Sequence, residues 1–227
     1  VAANMTAGAQ FGYLLVWVVI AGNIVAWLVQ YLSAKLGLAT GQSLTQLLGE
    51  RFKSPWTRRV YWLQAEIVAM ATDLAEVVGG AIALYLLFGI PLLAGGLIMG
   101  VLSIALLSIQ NRSGAKVFER IIIFLLLIIV IGFGAGLAVN PPDAAATLGG
   151  LVPRLAGDGS VLLAASILGA TIMPHAIYAH SALVRDRFGQ VLAGVQRTRI
   201  LKATRVDVTI ALIIAGGVNL ALLLTGA

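Results

Sequence analysis

The residues best suited to chemistry lie in one short segment, residues 169–180, which reads GATIMPHAIYAH. Pro174 has no N–H, and its ring clashes with the carbonyl four residues earlier, which belongs to Ala170. That carbonyl therefore loses its helical partner. Met173 brings a thioether to the same turn. One soft sulfur beside a backbone oxygen suits a transition metal better than Ca2+ or Mg2+, which prefer oxygen ligands throughout.

The residues alone leave other interpretations of this segment open. A simple proline kink, with Met173 as a flexible gap filler, is a common arrangement in apolar helices. His175 and His180 favour a functional break, because ionisable groups inside a membrane segment are rare and usually face a polar pathway. For each histidine, a structural hydrogen bond is an equally good explanation.

A second group of ionisable residues lies in the segment YWLQAEIVAMATDLAEVVGG, which carries Glu66, Asp73 and Glu76. At about 100° per residue, Asp73 lies about 20° from Glu66 on a helix, and Glu76 lies about 60° beyond Asp73. A carboxylate in hydrocarbon costs about 2.5–3.5 kcal/mol, so we expect this stripe to face the protein interior. We interpret these carboxylates as part of a pathway for protons or cations. The competing explanation is that they form structural ion pairs with an arginine of another helix.

Both groups lie in segments that are long and apolar enough to cross a bilayer. Of the 227 residues, 60% are hydrophobic and 11% are charged, and the mean hydropathy is +1.00. A soluble domain would carry about 25% charged residues. Runs of about 20 apolar residues predict transmembrane helices. They cover residues 11–32, 60–88, 92–109, 117–139, 161–184 and 206–227, whereas residues 1–10 are too short to span.

The basic residues alternate between the two predicted sides of the membrane. Of the fifteen Lys and Arg residues, all except Arg154 fall in alternate connections, around residues 35–59, 112–120 and 185–205. Basic residues accumulate in cytoplasmic loops, so helix 11–32 runs from outside to inside, as does the helix that contains Pro174. The net charge of +6 thus reflects topology and lipid anchoring, and we expect no nucleic-acid partner.

Several stretches together resemble the Nramp (MntH-like) divalent metal transporters, over essentially the whole chain. They are AGAQFGYLLVWV, QYLSAKLGLATG, ATDLAEVVGGAIAL and GATIMPHAIYAHSAL, of which the last is the most specific. The resemblance implies an all-α polytopic membrane protein with a LeuT-like inverted-repeat fold and a discontinuous helix six. Residues 1–10 would then be the outer part of helix one, and the six predicted spans would be helices two to seven of a single transmembrane domain.

The resemblance also implies roles for individual residues. The Ala170 carbonyl and the Met173 sulfur look like the helix-six half of the metal site, and His175 looks like the family histidine linked to proton coupling and conformational cycling. Asp73 and Glu76 look like acids of the proton route on helix three, and Glu66 extends that route towards the cytoplasm. His180, Arg187 and Gln30 also stand at family-like positions, but we assign them no role beyond that.

We therefore expect a proton-coupled secondary transporter that imports Mn2+, Fe2+ and similar ions by alternating access. One alternative is a LeuT-fold carrier of amino acids or other organic solutes; another is a non-transporting membrane sensor on the same scaffold. An enzyme is not expected, because an intramembrane hydrolase would need a spacing such as H-E-x-x-H, which the sequence lacks.

The remaining expectations concern the extent and setting of the chain. The sequence has no initiator Met and no Cys, and we interpret it as a fragment of a longer protein. The family's helix-one Asp-Pro-Gly-Asn motif, which supplies the hard ligands, would immediately precede Val1. We expect a monomeric, multi-pass protein of the bacterial plasma membrane. Its expected partners are the metal ion, protons and lipid, and no resident cofactor is expected.

Overall fold

The described part of the chain is almost entirely helical. The computed structural model describes residues 2–113, 115–139, 141–189 and 194–227, with the backbone alone for residues 110–113, 115 and 116. The predicted cytoplasmic Arg112 and Lys116 therefore have side chains outside the described part. The helices are α1 Ala2–Phe11, α2 Val16–Thr40, α3 Leu44–Arg51, α4 Pro55–Phe88, α5 Leu92–Ser113, α6 Ala115–Val139, α7 Ala144–Gly149, α8 Gly157–Thr171, α9 Pro174–Phe188 and α10 Val195–Gly226.

Six helical segments of the described residues are long and apolar enough to cross a membrane. They are Ala2–Thr40, Pro55–Phe88, Leu92–Ile109, Val117–Val139, Gly157–Phe188 and Val195–Gly226. The chain divides into two compact units, residues 1–62 with 132–227 and residues 63–131. The first unit contains the proline break, and the second contains the three carboxylates.

Several helices extend beyond the spans predicted from hydropathy. The segment predicted as 11–32 continues to Thr40, where Gly41 ends α2 with a left-handed φ of 67° and an N–H bonded to the Gly37 carbonyl at 3.0 Å. The helix predicted from residue 60 begins at Pro55, whose fixed φ and missing N–H suit the first helical position. Hydropathy marks where a helix meets lipid, whereas the caps decide where it ends.

The core of the first unit joins α1, the start of α2, α8 and α10. Its fully buried members include Leu15, Val18, Ile167 and Leu223. Residues 2–11 are helical, and a 3₁₀ turn over Gly12–Leu15, with Gly12 at a φ of 54°, separates them from α2. The turn lets α1 pack on α10 while α2 packs on α8 and α9.

Small residues allow these helices to approach closely, as is common in membranes. A Cβ added to Gly37 of α2 would collide with the Ser181 carbonyl oxygen of α9. A second cluster of buried residues, Ala34, Leu38 and Val184, lies at the same α2–α9 interface. Within the second unit, α5 approaches α4 in a similar way, because a Cβ on Gly95 would lie 3.1 Å from the Ala81 Cα.

The close approach at Gly37 predicts that Gly37→Ala destabilises the full-length protein by about 1–3 kcal/mol, since the added methyl group must push α9 away from α2. The matched control is Gly49→Ala in α3, where an added Cβ meets nothing within 4 Å. That substitution is expected to be neutral or stabilising by up to about 1 kcal/mol, through helix propensity. Thermal unfolding in detergent measures both. Equal midpoints for Gly37→Ala and wild type would show that the two helices are not in contact.

Candidate metal site

The helix that contains Pro174 is broken, as the sequence predicts. Helix α8 ends at Thr171, and α9 begins with Pro174 in its first turn. Between them Ile172 has φ −101° and ψ 75°, and Met173 has an extended conformation with φ −83° and ψ 116°. Proline is tolerated in the first turn of α9 because the N–H at that position would have no helical partner in any case.

The break leaves backbone acceptors at the end of α8. Pro174 cannot donate to the Ala170 carbonyl, and no other backbone N–H within the described ranges replaces it. The backbone hydrogen bonds on either side of the break use other carbonyls. The Ile172 N–H donates to the Leu168 carbonyl at 2.8 Å, and the Ile177 N–H donates to the Met173 carbonyl at 3.3 Å. A helix C-terminus also carries partial negative charge. The end of α8 is therefore a favourable place for a cation.

The predicted ligands are accessible at this break. Ala170 is exposed, and Met173 is partly buried. Among the described residues, His, Asp and Glu side chains form no group of three that could hold a metal ion. A metal site built from three such side chains is therefore not formed by the described residues.

Buried hydroxyl groups anchor α9 beyond the break. The Ser33 Oγ of α2 donates to the Ile177 carbonyl at 2.6 Å. The Ser181 Oγ donates to the Tyr178 carbonyl at 2.8 Å and accepts the Leu44 N–H of α3 at 3.0 Å. Both serines are almost fully buried, with exposed fractions of 4% and 0%. Sequence analysis did not identify them, because a serine inside an apolar helix gives no sign of which neighbour it contacts.

Two further contacts join α9 to the start of α4 and to α3. The hydroxyl groups of Tyr61 in α4 and Tyr178 in α9 lie 2.5 Å apart. Arg185 donates to the Gln46 Oε1 at 2.7 Å, and the same Gln46 forms a capping box with Ser43 at the start of α3. The S-x-x-Q spacing of residues 43–46 is a readable helix-start signal, although nothing in it indicates the contact with Arg185.

Helix α8 has a separate set of neighbours. Ala164 and Ile167 lie in the core with α1 and α2, and Leu168 and Thr171 lie within 4 Å of a Cβ built on Gly22. The Thr171 hydroxyl bonds within its own helix, to the Ile167 carbonyl at 2.7 Å. The two half-helices are thus held by different contacts, with Ile172 and Met173 between them.

His175 stands just past the break with one unsatisfied ring nitrogen. Its Nδ1 is buried and has no hydrogen-bond partner among the described residues. Buried polar atoms normally have partners, so this nitrogen is available to a water, an ion or a group outside the described residues. His180 is partly buried one turn and a half further along α9, and Arg187 lies over the ring of its neighbour Phe188 at 5.5 Å.

The three predicted carboxylates lie on α4 in the second unit. Glu66, Asp73 and Glu76 are all exposed, and none has a hydrogen bond or an ion pair with any described residue. The expected interior for this stripe is therefore not formed by the described residues. The apolar side chains of α5 and α6 in the same unit are also largely exposed where they are described.

The whole chain, residues 1–227, matches the family model described as Nramp, natural resistance-associated macrophage protein-like. The chain belongs to the Nramp family. Curated relatives of the chain are named as divalent metal cation transporters. The six membrane-length helices and the bacterial relatives together assign the chain to a multi-pass protein of the bacterial plasma membrane.

Curated Nramp relatives match over the full length of the chain. The divalent metal cation transporter MntH of Mycobacterium tuberculosis (strain CDC 1551 / Oshkosh) is 60% identical over 227 residues, which are 100% of this chain and 53% of the relative. MntH of Bacillus subtilis (strain 168) is 46% identical over 228 residues, again 100% of this chain and 53% of the relative. The chain thus spans about half the length of these relatives.

A solved Nramp structure has the same fold. The manganese transporter of Eremococcus coleocola, in complex with an aromatic bis-isothiourea substituted compound, superposes with a TM-score of 0.85 at 32% identity. The match covers 100% of this chain and 47% of that one. The predicted fold class, a partial LeuT-like inverted-repeat transporter with a broken helix six, is confirmed.

Proposed function

We propose that the full-length protein is a proton-coupled secondary transporter that imports Mn2+, Fe2+ and similar divalent ions by alternating access. The observation that carries this proposal is the break at Ile172 and Met173 in a chain of the Nramp family, which leaves the Ala170 carbonyl without its helical partner three residues before the Met173 thioether. The curated relatives are named as divalent metal cation transporters and the solved neighbour as a manganese transporter, which favours metal over an organic solute.

The chemistry of the two ligands accounts for the selection of transition metals. Mg2+ dehydrates reluctantly and requires near-ideal octahedral oxygen ligands, and Ca2+ takes six to eight oxygens. A thioether is a poor ligand for both. Mn2+ and Fe2+ accept oxygen ligands as well as softer ones, and the thioether lowers the relative affinity for hard ions. The hard ligands would come from the helix-one motif that the family resemblance places before Val1.

The proton pathway is proposed to use Asp73, Glu76 and Glu66 of α4 together with His175 of α9. All three carboxylates lie inside a membrane-length helix, where ionisable side chains are expensive and usually serve an ion or proton pathway. His175 adds a buried nitrogen without a described partner, one residue past Pro174. Metal binding near the break would then change the electrostatic environment of His175.

Alternating access is proposed to operate through the separate anchoring of α8 and α9. Helix α9 is bonded to α2, α3 and the start of α4, whereas α8 packs with α1 and α2. The two non-helical residues between them, Ile172 and Met173, would allow the angle between α8 and α9 to change. Hinges in transporters and enzymes are usually a few such residues at the ends of elements.

The metal proposal predicts that Met173→Ala weakens Mn2+ and Cd2+ binding at least about tenfold, because changes even in the outer shell of metal sites cost 10- to 100-fold. It also predicts new competition by Ca2+ and Mg2+. Uptake into proteoliposomes, with and without the competing ions, measures both effects. The matched control is Met70→Ala, at an exposed methionine of α4. Unchanged Mn2+ and Cd2+ uptake in Met173→Ala, with no new competition, would contradict the role of the sulfur.

The proton proposal predicts that Asp73→Asn uncouples proton flow from metal uptake. A neutral amide cannot exchange a proton, so Mn2+-dependent acidification inside proteoliposomes should fall to the level seen without Mn2+. A pH-sensitive dye and an Mn2+ indicator report the two fluxes in parallel. Glu119→Gln, at an exposed position near the start of α6, makes the same chemical change and should leave both fluxes intact. Normal acidification in Asp73→Asn would remove this residue from the pathway.

A further inference from the structure

A groove of about 490 Å3 lies between α2 and α10, on the opposite face of α2 from the break contacts of Ser33. We name it the α2–α10 groove. The side chains that line it include Ile24 and Trp27 of α2, with Arg205, Thr209, Ile210 and Ile213 of α10. On α10 these positions recur at helical spacing along one stripe. Asn23 of α2 also lines the groove; its Nδ2 donates to the Leu212 carbonyl at 3.0 Å, and its Oδ1 has no partner among the described residues. The groove otherwise has a cationic end and largely apolar walls.

The cationic end is held in a fixed geometry. The Arg205 guanidinium lies over the Trp27 ring, 5.5 Å from its centroid. The Trp27 Nε1 donates to the Thr209 Oγ1 at 2.8 Å, and the Thr209 hydroxyl donates to the Arg205 carbonyl at 2.7 Å. The indole is therefore positioned by a bond to the helix that carries the arginine, and the cation–π contact holds the guanidinium against it.

The positive charge of Arg205 has no acidic partner within the described ranges, because no carboxylate there lies within 4.0 Å of it. Its N–H groups are thus available to an anion, and a guanidinium is well suited to bind phosphate through two parallel hydrogen bonds. Lys202, one turn earlier on α10, is also exposed and adds positive charge on the same side of the helix.

The apolar walls extend from this end towards the middle of the membrane. Ile24, Ile210 and Ile213 have exposed fractions of 62%, 54% and 65%. Arg205 and Ile213 are eight positions apart, which corresponds to about 12 Å along the helix axis at about 1.5 Å per residue. A strip of that length, lined by branched side chains, matches part of an acyl chain.

The level of the groove in the membrane follows from the sequence of α10. Residues 195–205 carry four basic residues, and after the exposed Asp207 the rest of α10, to Gly226, carries no charged residue. Arg205 therefore stands where the helix enters the hydrocarbon, on the side that the basic loops assign to the cytoplasm. Trp27 and Tyr31, stacked 6.0 Å apart, lie at the same level on α2, as aromatic side chains commonly do at the lipid head groups.

We propose that the α2–α10 groove binds an anionic phospholipid of the cytoplasmic leaflet, with its phosphate on Arg205 and one acyl chain along Ile24, Ile210 and Ile213. Basic residues at this surface attract anionic head groups, and the groove adds a defined position for one of them. Because α2 also anchors α9 through Ser33, the lipid would stabilise the helix on which the metal half-site depends.

The test is a lipid titration of the delipidated full-length protein, followed by native mass spectrometry. Phosphatidylglycerol, phosphatidylcholine and inorganic phosphate are added in separate arms. We expect one saturable phosphatidylglycerol adduct, weaker binding of phosphatidylcholine, and no retained phosphate, because head group and chain both contribute. Arg205→Gln should lower the phosphatidylglycerol affinity about fivefold, the effect of about one interfacial charge. Ile210→Trp, which fills the groove and keeps the charge, should lower it as well.

Two matched controls separate the groove from general surface charge and hydrophobicity. Arg199→Gln removes an exposed charge from the same helix, about 120° away around its axis, and Leu183→Trp enlarges an exposed apolar residue of α9. Neither should change the affinity for phosphatidylglycerol.

The proposal would be overturned if Arg205→Gln and Arg199→Gln lowered the phosphatidylglycerol affinity equally, or if Ile210→Trp did not lower it. Equal binding of the two lipids by wild type would also overturn it, and would indicate that another segment or a second copy covers the groove. If Arg205→Gln fails to fold, the comparison of Ile210→Trp with Leu183→Trp decides.

Discussion

One missing N–H group governs this structure. Pro174 removes a backbone donor inside a membrane-length helix, and a carbonyl without a partner in hydrocarbon costs several kcal/mol. A continuous kinked helix would leave the Ala170 carbonyl facing the proline ring. The chain instead stops α8 at Thr171, extends through Ile172 and Met173, and starts a new helix. The carbonyl can then be satisfied by a ligand, which is how a defect in a helix becomes a candidate binding site.

The break requires support, because two short helices without shared hydrogen bonds must each be fixed by their neighbours. Close packing on Gly37 and bonds from Ser33, Ser181 and Tyr61 position α9. Apolar packing with α1 and α2 positions α8. Helix α2 contacts both halves and also forms one wall of the α2–α10 groove. The proposed metal transport and the proposed lipid site thus depend on the same helix, at different levels and on different faces.

The sequence predicted the features that follow from local chemistry. Six membrane-length helices, the position of the break and the LeuT-like fold required only hydropathy, the properties of proline and the family motifs. Features that depend on distant partners were not predictable: the hydroxyl contacts of Ser181 and the contact between Gln46 and Arg185. The stripe of Glu66, Asp73 and Glu76 was expected in an interior, but the described residues leave it exposed. Helical spacing shows which residues share a face, and it does not show what covers that face.

The most direct measurement of the central claim is an anomalous difference map from crystals of the full-length protein soaked in Mn2+. If the break forms half of the metal site, the map will show one strong peak there, within bonding distance of the Ala170 carbonyl oxygen and the Met173 sulfur. A peak elsewhere, with Met173 turned towards lipid and the Ala170 carbonyl bonded to protein, would contradict it.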